Sequence, residues 1–168
     1  MELELTTKKA WKWRAQTWSL LIIGFAVVLV ALVASFAFSM VRPTTEVHIG
    51  QSGIYHLWVA DTQEDLYQGL SGVEDLPRNG GLLMDFKAPE YPGIVMRDMN
   101  VPLDLVWLNE SKEVVHIVKN VAADTDESIV FEPKKPAQYV LELPAGSVVN
   151  SAIRIGNRAD FTLNGEVR

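Results

Sequence analysis

The residues best equipped for chemistry cluster in Met96-Arg97-Asp98-Met99-Asn100-Val101-Pro102-Leu103-Asp104. A guanidinium beside carboxylates can hold a ligand carboxylate or sugar hydroxyls through planar, bidentate hydrogen bonds. Arg97, Asp98 and Asp104 are therefore the candidate ligand-binding set. Asp104 stands between Leu103 and Leu105 at the start of an apolar run, where a partly buried carboxylate needs a partner or a raised pKa. The competing account is structural: an Arg97–Asp104 ion pair, or Asp104 accepting backbone N–H groups at a turn. Glu142, inside Val140-Leu141-Glu142-Leu143, is the other carboxylate of interest. Asp104 with Glu142 or Asp98 would supply the acid and base of a carboxylate hydrolase. Strand alternation puts Val140 and Glu142 on one face and Leu141 and Leu143 on the other, and the plain expectation for Glu142 is a solvated outer face.

Other chemistries are poorly provided for. His48, His56 and His116 fall in different segments without HxH or HExxH spacing, so no metal is expected. Nothing matches GxSxG, a P-loop or GxGxxG, and no cofactor is expected; Gly80-Gly81 reads as a turn. Trp58 and Trp107 can stack on a sugar ring, although such residues more often fill a core. The absence of cysteine excludes disulfides, Cys-ligated zinc and thiol nucleophiles. Residues 42–168 carry 11 Lys/Arg against 19 Asp/Glu, a net charge of −8, which speaks against a nucleic-acid partner.

These residues need a scaffold, and the pattern supplies short elements. Ile54 to Val59 is aromatic and β-branched and predicts a strand. Asp61 or Thr62 can cap a short helix, with an acid three residues later, Leu66 and Leu70 on its inner face and Gly69 at its end. Leu82 to Phe86 predicts a strand, and Ile94-Val95-Met96 the start of another. Leu103 to Leu108 and Glu113 to Val121 read as a hairpin about Asn109-Glu110-Ser111-Lys112. Tyr139 to Leu143 is a further strand, Ser147 to Ser151 a short helix, and Ala159 to Leu163 a last strand. The whole predicts an α+β domain, mainly antiparallel β, small and barrel- or sandwich-like with two short helices.

Ahead of that domain, Ala15 to Val41 contains no charged residue. About 20 helical residues span roughly 30 Å, the hydrocarbon thickness of a bilayer. The pattern predicts a cytoplasmic tail over 1–18, a transmembrane helix over 19–40, a tether over 41–52 and an extracytoplasmic domain over 53–168. Trp11, Trp13 and Trp18 suit the interface, and Lys8, Lys9, Lys12 and Arg14 ahead of the helix place the N-terminus inside. A signal peptide cleaved near Ala37-Phe38-Ser39 is the alternative, and it too exports the domain.

Four blocks share an order with a known family: Ala60-Asp61-Thr62 followed by Gly69-Leu70; Gly81 to Phe86; Met96 to Asp104; and Val140 to Gly146. Over about Val59 to Arg158 the chain resembles the family called domain of unknown function 192. The family's aromatic pair before the methionine is here Ile94 and Val95, and its Lys-Asn-Thr is Arg97-Asp98-Met99. A glycine common near the end of the second helix is Ala152, and its Gly-Asp is Gly156-Asn157. The resemblance implies the fold and export, and no mechanism. The expected function is a membrane-anchored, non-catalytic module binding an envelope glycan, peptide or protein. A carboxylate hydrolase and a membrane assembly factor are the alternatives.

Overall fold

The computed structural model describes residues 25–30 and 42–163. Residues 25–30 are helical; the remainder of the segment read as a membrane helix, 19–40, lies outside the described residues. Among the described residues no helix is long and apolar enough to cross a membrane. Residues 42–168 form a compact unit separate from 1–41.

The unit is an α+β domain of six strands and two short helices. In chain order these are β1 (Thr44–Ile49), β2 (Gly53–Ala60), α1 (Gln63–Gln68), β3 (Leu82–Glu90), β4 (Leu103–Leu108), β5 (Val114–Val121), β6 (Ala137–Pro144) and α2 (Ser147–Asn150). The strands make one sheet in the order β1-β2-β3-β6-β4-β5. Every pairing is antiparallel except β2–β3, which α1 connects as a parallel pair. Beyond α2, backbone bridges join Arg158 to Glu113 and Asp160 to His48, so this C-terminal segment reaches both ends of the strand order.

Both faces of the sheet are buried. In β4 all six residues, Leu103 to Leu108, are buried, because the strand lies between β5 and β6 and is covered on each side. One face gathers Val47, Leu57, Leu83, Val106, Leu141 and Leu143 with Val148 of α2 and Phe161. The other gathers Leu82, Met84, Leu105, Trp107 and Val140 beneath Leu70, Ile94 and Met96 from the connecting loops. The buried Trp107 indole donates to the Pro92 carbonyl at 3.0 Å, fixing the loop that leads into Ile94. Gly81 has no substitute: a Cβ there would stand 2.3 Å from the Glu142 carbonyl oxygen of the neighbouring strand.

Three sequence expectations are corrected. The segment read as a tether, 41–52, contains β1, with Val47 and Ile49 buried; its apolar positions acquire meaning only once β2 pairs beside them. Ile94-Val95-Met96 makes a single bridge, Ile94 to Phe131, rather than a strand. Ala159 to Leu163 likewise contributes only the bridge at Asp160, its apolar residues filling the core from an irregular backbone.

Candidate functional site

The site begins with a carboxyl group buried at the base of a cleft. Glu142 pairs across the ladder with Leu82 of β3 and Leu105 of β4, so its side chain shares their face. The expectation of a solvated outer face is corrected here, since Glu142 is only 5% exposed. Alternation assigned the face rightly; the cover comes from α1 and the loops, which alternation does not report. Glu142 Oε2 has no hydrogen-bond partner, the one such buried side-chain atom among the described residues. Burial pushes the carboxyl up to about 7, with the positive charge of Arg42 acting in the opposite direction. Orphaned buried acceptors are rare because leaving one unpaired costs about 1–3 kcal/mol.

The cover is built from local rules. Thr62 caps α1, its hydroxyl accepting from the Asp65 N–H at 3.1 Å, and Gly69 ends the helix at φ 54°, ψ −132°. Only glycine enters that conformation without strain. The turn also brings the chain down on the carboxyl: a Cβ on Gly69 would lie 3.8 Å from Glu142 Oε2. Arg42 Nη1 donates to the Gly69 carbonyl at 2.9 Å while its guanidinium lies 5.9 Å from the Trp58 ring. The turn beyond α1 is tied to the facing loop, Ser71 Oγ donating to the Arg97 carbonyl at 2.8 Å and the Gly72 N–H to the Asp98 carbonyl at 2.8 Å.

Between these pieces lies a cleft of about 160 Å³, walled by Leu66, Met84, Phe86, Ile94 and Met99, with Glu142 and Arg97 as its charged members. Arg97 packs its guanidinium 4.0 Å from the centre of the Tyr67 ring and donates to the Tyr67 carbonyl. Ile94, Val95, Arg97 and Met99, where the chain departs from the family pattern, all line the cleft.

The candidate set is therefore divided. Arg97 joins Glu142 in the cleft, and Asp104 does not. Asp104 pairs with Leu143, on the opposite face from Glu142, and is fully buried. It accepts from the Asn120 N–H and the Val148 N–H, each at 2.8 Å. The second bond caps α2, whose N-cap residue, Gly146, has no side chain to do so. Asp98 is exposed and sits at φ 51°, a conformation short polar residues tolerate best, so its residue type answers to the backbone. No two of Asp98, Asp104 and Glu142 converge as an acid–base pair in the cleft.

The remaining polar clusters are satisfied internally. Lys87 Nζ bridges Asp61 at 3.1 Å and Asp85 at 3.0 Å in a recess beside β3. His48 and His56 flank Glu46 on the exposed face of β1 and β2. His116 stacks against Trp107 with ring centres 5.3 Å apart. Among the described residues no three His, Asp or Glu side chains form a metal-holding group.

Comparison with solved structures gives two matches of the same fold. A protein of Sinorhizobium meliloti 1021, provisionally described as a transcription regulator, superposes with a TM-score of 0.68 at 21% identity, covering 71% of this chain and 95% of that one. A protein of unknown function from Novosphingobium aromaticivorans DSM 12444 gives 0.64 at 21% identity, covering 71% and 84%. No curated protein matches the sequence. Residues 45–161 match the sequence profile of DUF192, described as an uncharacterised ACR.

Proposed function

The chain belongs to the DUF192 family, and from that premise we propose that it is a non-catalytic ligand-binding module whose site is the cleft above Glu142. The observation that carries this reading is the unpartnered Glu142 Oε2 at the base of a cleft walled by apolar side chains. A ligand that donates to that oxygen recovers the hydrogen bond the fold leaves unmade. Few convergent polar groups in an apolar concavity is the usual make-up of a small-molecule site. A cavity of about 150 Å³ holds a benzene-sized body, so the 160 Å³ cleft suits one ring or one side chain of a larger envelope glycan, peptide or protein.

The module works outside the cytoplasmic membrane, held by a helix over 19–40 with the N-terminus inside. The support is the uncharged run from Ala15 to Val41 and the basic residues ahead of it. The regulator description stays with the Sinorhizobium protein, since 21% identity carries the fold alone. No observation favours the hydrolase reading.

The test is thermal unfolding of the full-length chain with small cyclic acids, amines and alcohols, beside Arg97→Ala. A ligand at about 100 times its Kd adds roughly 2.7 kcal/mol to the native state. We expect at least one compound to raise the midpoint and Arg97→Ala to reduce the rise. A flat response across the panel would overturn the reading.

A further inference from the structure

We infer that the cleft takes a small ring-bearing carboxylate whose far end carries a hydrogen-bond donor: the anion meets Arg97, the ring lies among Leu66, Met84, Ile94 and Met99, and the donor reaches Glu142 Oε2. This rests on the ligand-binding reading above and adds the chemical class.

The charge balance inside the cleft decides the sign of the ligand. The ion pairs among the described residues join His48 and His56 to Glu46, and Lys87 to Asp61 and Asp85. Neither Arg97 nor Arg42 has a carboxylate within ion-pair distance there. Arg97 is half-buried; one face lies over Tyr67 and one Nη group serves the Tyr67 carbonyl. A guanidinium has five N–H donors in a planar fork, so donors remain for a carboxylate. Arg42, which does not line the cleft, is bound to the Gly69 carbonyl and its positive charge acts on the Glu142 carboxyl. Against these two stands the Glu142 carboxyl, which burial holds substantially protonated near neutral pH. Arg42 is the charged group acting on the carboxyl, Arg97 lines the same cleft, and the Gly69 backbone with Leu82 and Leu105 as cross-strand neighbours completes its surroundings. The cleft is thus locally positive within an acidic domain, and an anion fits it better than a cation.

The buried end decides the second feature. Protonated or not, a carboxyl keeps acceptor capacity, and Oε2 has no donor from the protein. A hydroxyl or N–H on the ring edge supplies it. Specificity from such a contact is steep, because a ligand lacking the donor leaves the acceptor buried and unpaired.

The experiment follows the methyl resonances of Met84 and Met99, which line the cleft, in the full-length chain labelled at methionine methyls. The probes are 4-hydroxybenzoate, benzoate and benzylamine. We expect 4-hydroxybenzoate to move both methyls and to bind about tenfold more tightly than benzoate, a difference worth about 1.4 kcal/mol. Benzylamine should leave them in place. Affinity for both carboxylates should fall as pH rises through about 7, because the ionised Glu142 repels the anion. Glu142→Leu, which exchanges a buried acid for an apolar group, should erase the preference for the hydroxyl and flatten the pH profile. Arg97→Ala should weaken both carboxylates alike. Binding of benzylamine in preference to the carboxylates would overturn the ligand class and leave the cleft standing as a site. Methyls that respond to none of the three would overturn both.

Discussion

Replacing Glu142 by leucine should make the protein more stable, and by an amount that depends on pH. The ordinary carboxyl value of 4.5 is raised to about 7 in the folded chain, chiefly by burial. A raised acid pKa means that the folded state holds a proton the unfolded chain has released. The native state therefore loses stability as pH climbs from about 4.5 to about 7 and keeps the full penalty above that. A separation of about 2.5 pH units at 1.36 kcal/mol each gives a penalty of about 3 kcal/mol. Leucine ends one bond short of the glutamate oxygens, carries no charge and suits a face shared with Leu82 and Leu105. The advantage of Glu142→Leu over the wild type should therefore be larger by roughly 2–3 kcal/mol at about pH 8 than at about pH 4, where only the unpaired acceptor is relieved, measured by urea unfolding. The comparison must be made between the two proteins at each pH. Burial and the charge of Lys134 hold His116 below its ordinary value, so its own contribution rises with pH across part of the same window and cancels only in the difference. A variant whose advantage is the same at both pH values, or that is less stable at the alkaline end, would refute the argument from burial.

Three further substitutions probe the surroundings. Arg42→Ala removes the charge that opposes burial at Glu142 and the bond to the Gly69 carbonyl; a carbon-detected titration of the Glu142 carboxyl should show its midpoint moving upward, and an unchanged midpoint would mean the guanidinium does not reach it. Asp104→Asn leaves one side-chain oxygen for two backbone donors, the Asn120 and Val148 N–H groups. It should cost about 1–3 kcal/mol in denaturant unfolding while ligand affinity in the cleft stays unchanged, because Asp104 faces the other way. Ala152→Gly should stabilise by roughly 0.5–1 kcal/mol, since Ala152 holds φ 51°, a strain of about 1–2 kcal/mol for a residue with a Cβ, partly offset by the freer unfolded glycine; thermal unfolding reads the sign.

Much of this was visible in the residues. β2 declared itself by the aromatic and β-branched run from Ile54 to Val59, and α1 by Thr62, Asp65 and Gly69. The β4–β5 hairpin followed from two apolar runs about a polar turn. These signals are local, each set by a cap, a turn or a period of two. What escaped depended on partners distant in the chain. β1 has only Val47 and Ile49 turned inward, too few to mark a strand until β2 lies beside it. The parallel pairing of β2 with β3 leaves no mark in either strand. At Glu142, alternation gave the face correctly but not its cover, which arrives from α1 and the loops near Ile94 and Met99. One signal was available: Val140, Leu141 and Leu143 are apolar on both parities, the mark of a strand buried on two sides, and such a strand leaves no solvated face for Glu142. At residues 98 and 152 the chain varies from the family pattern on a positive-φ backbone, so those differences concern conformation rather than chemistry.

The most direct test of the account is the ionisation of Glu142 itself, followed through its side-chain carboxyl carbon by NMR in the full-length protein. The structure predicts a midpoint of about 7, moving when 4-hydroxybenzoate occupies the cleft. A midpoint near the ordinary 4.5, unmoved by any ligand that binds, would contradict both the burial of the carboxyl and its role at the base of the site.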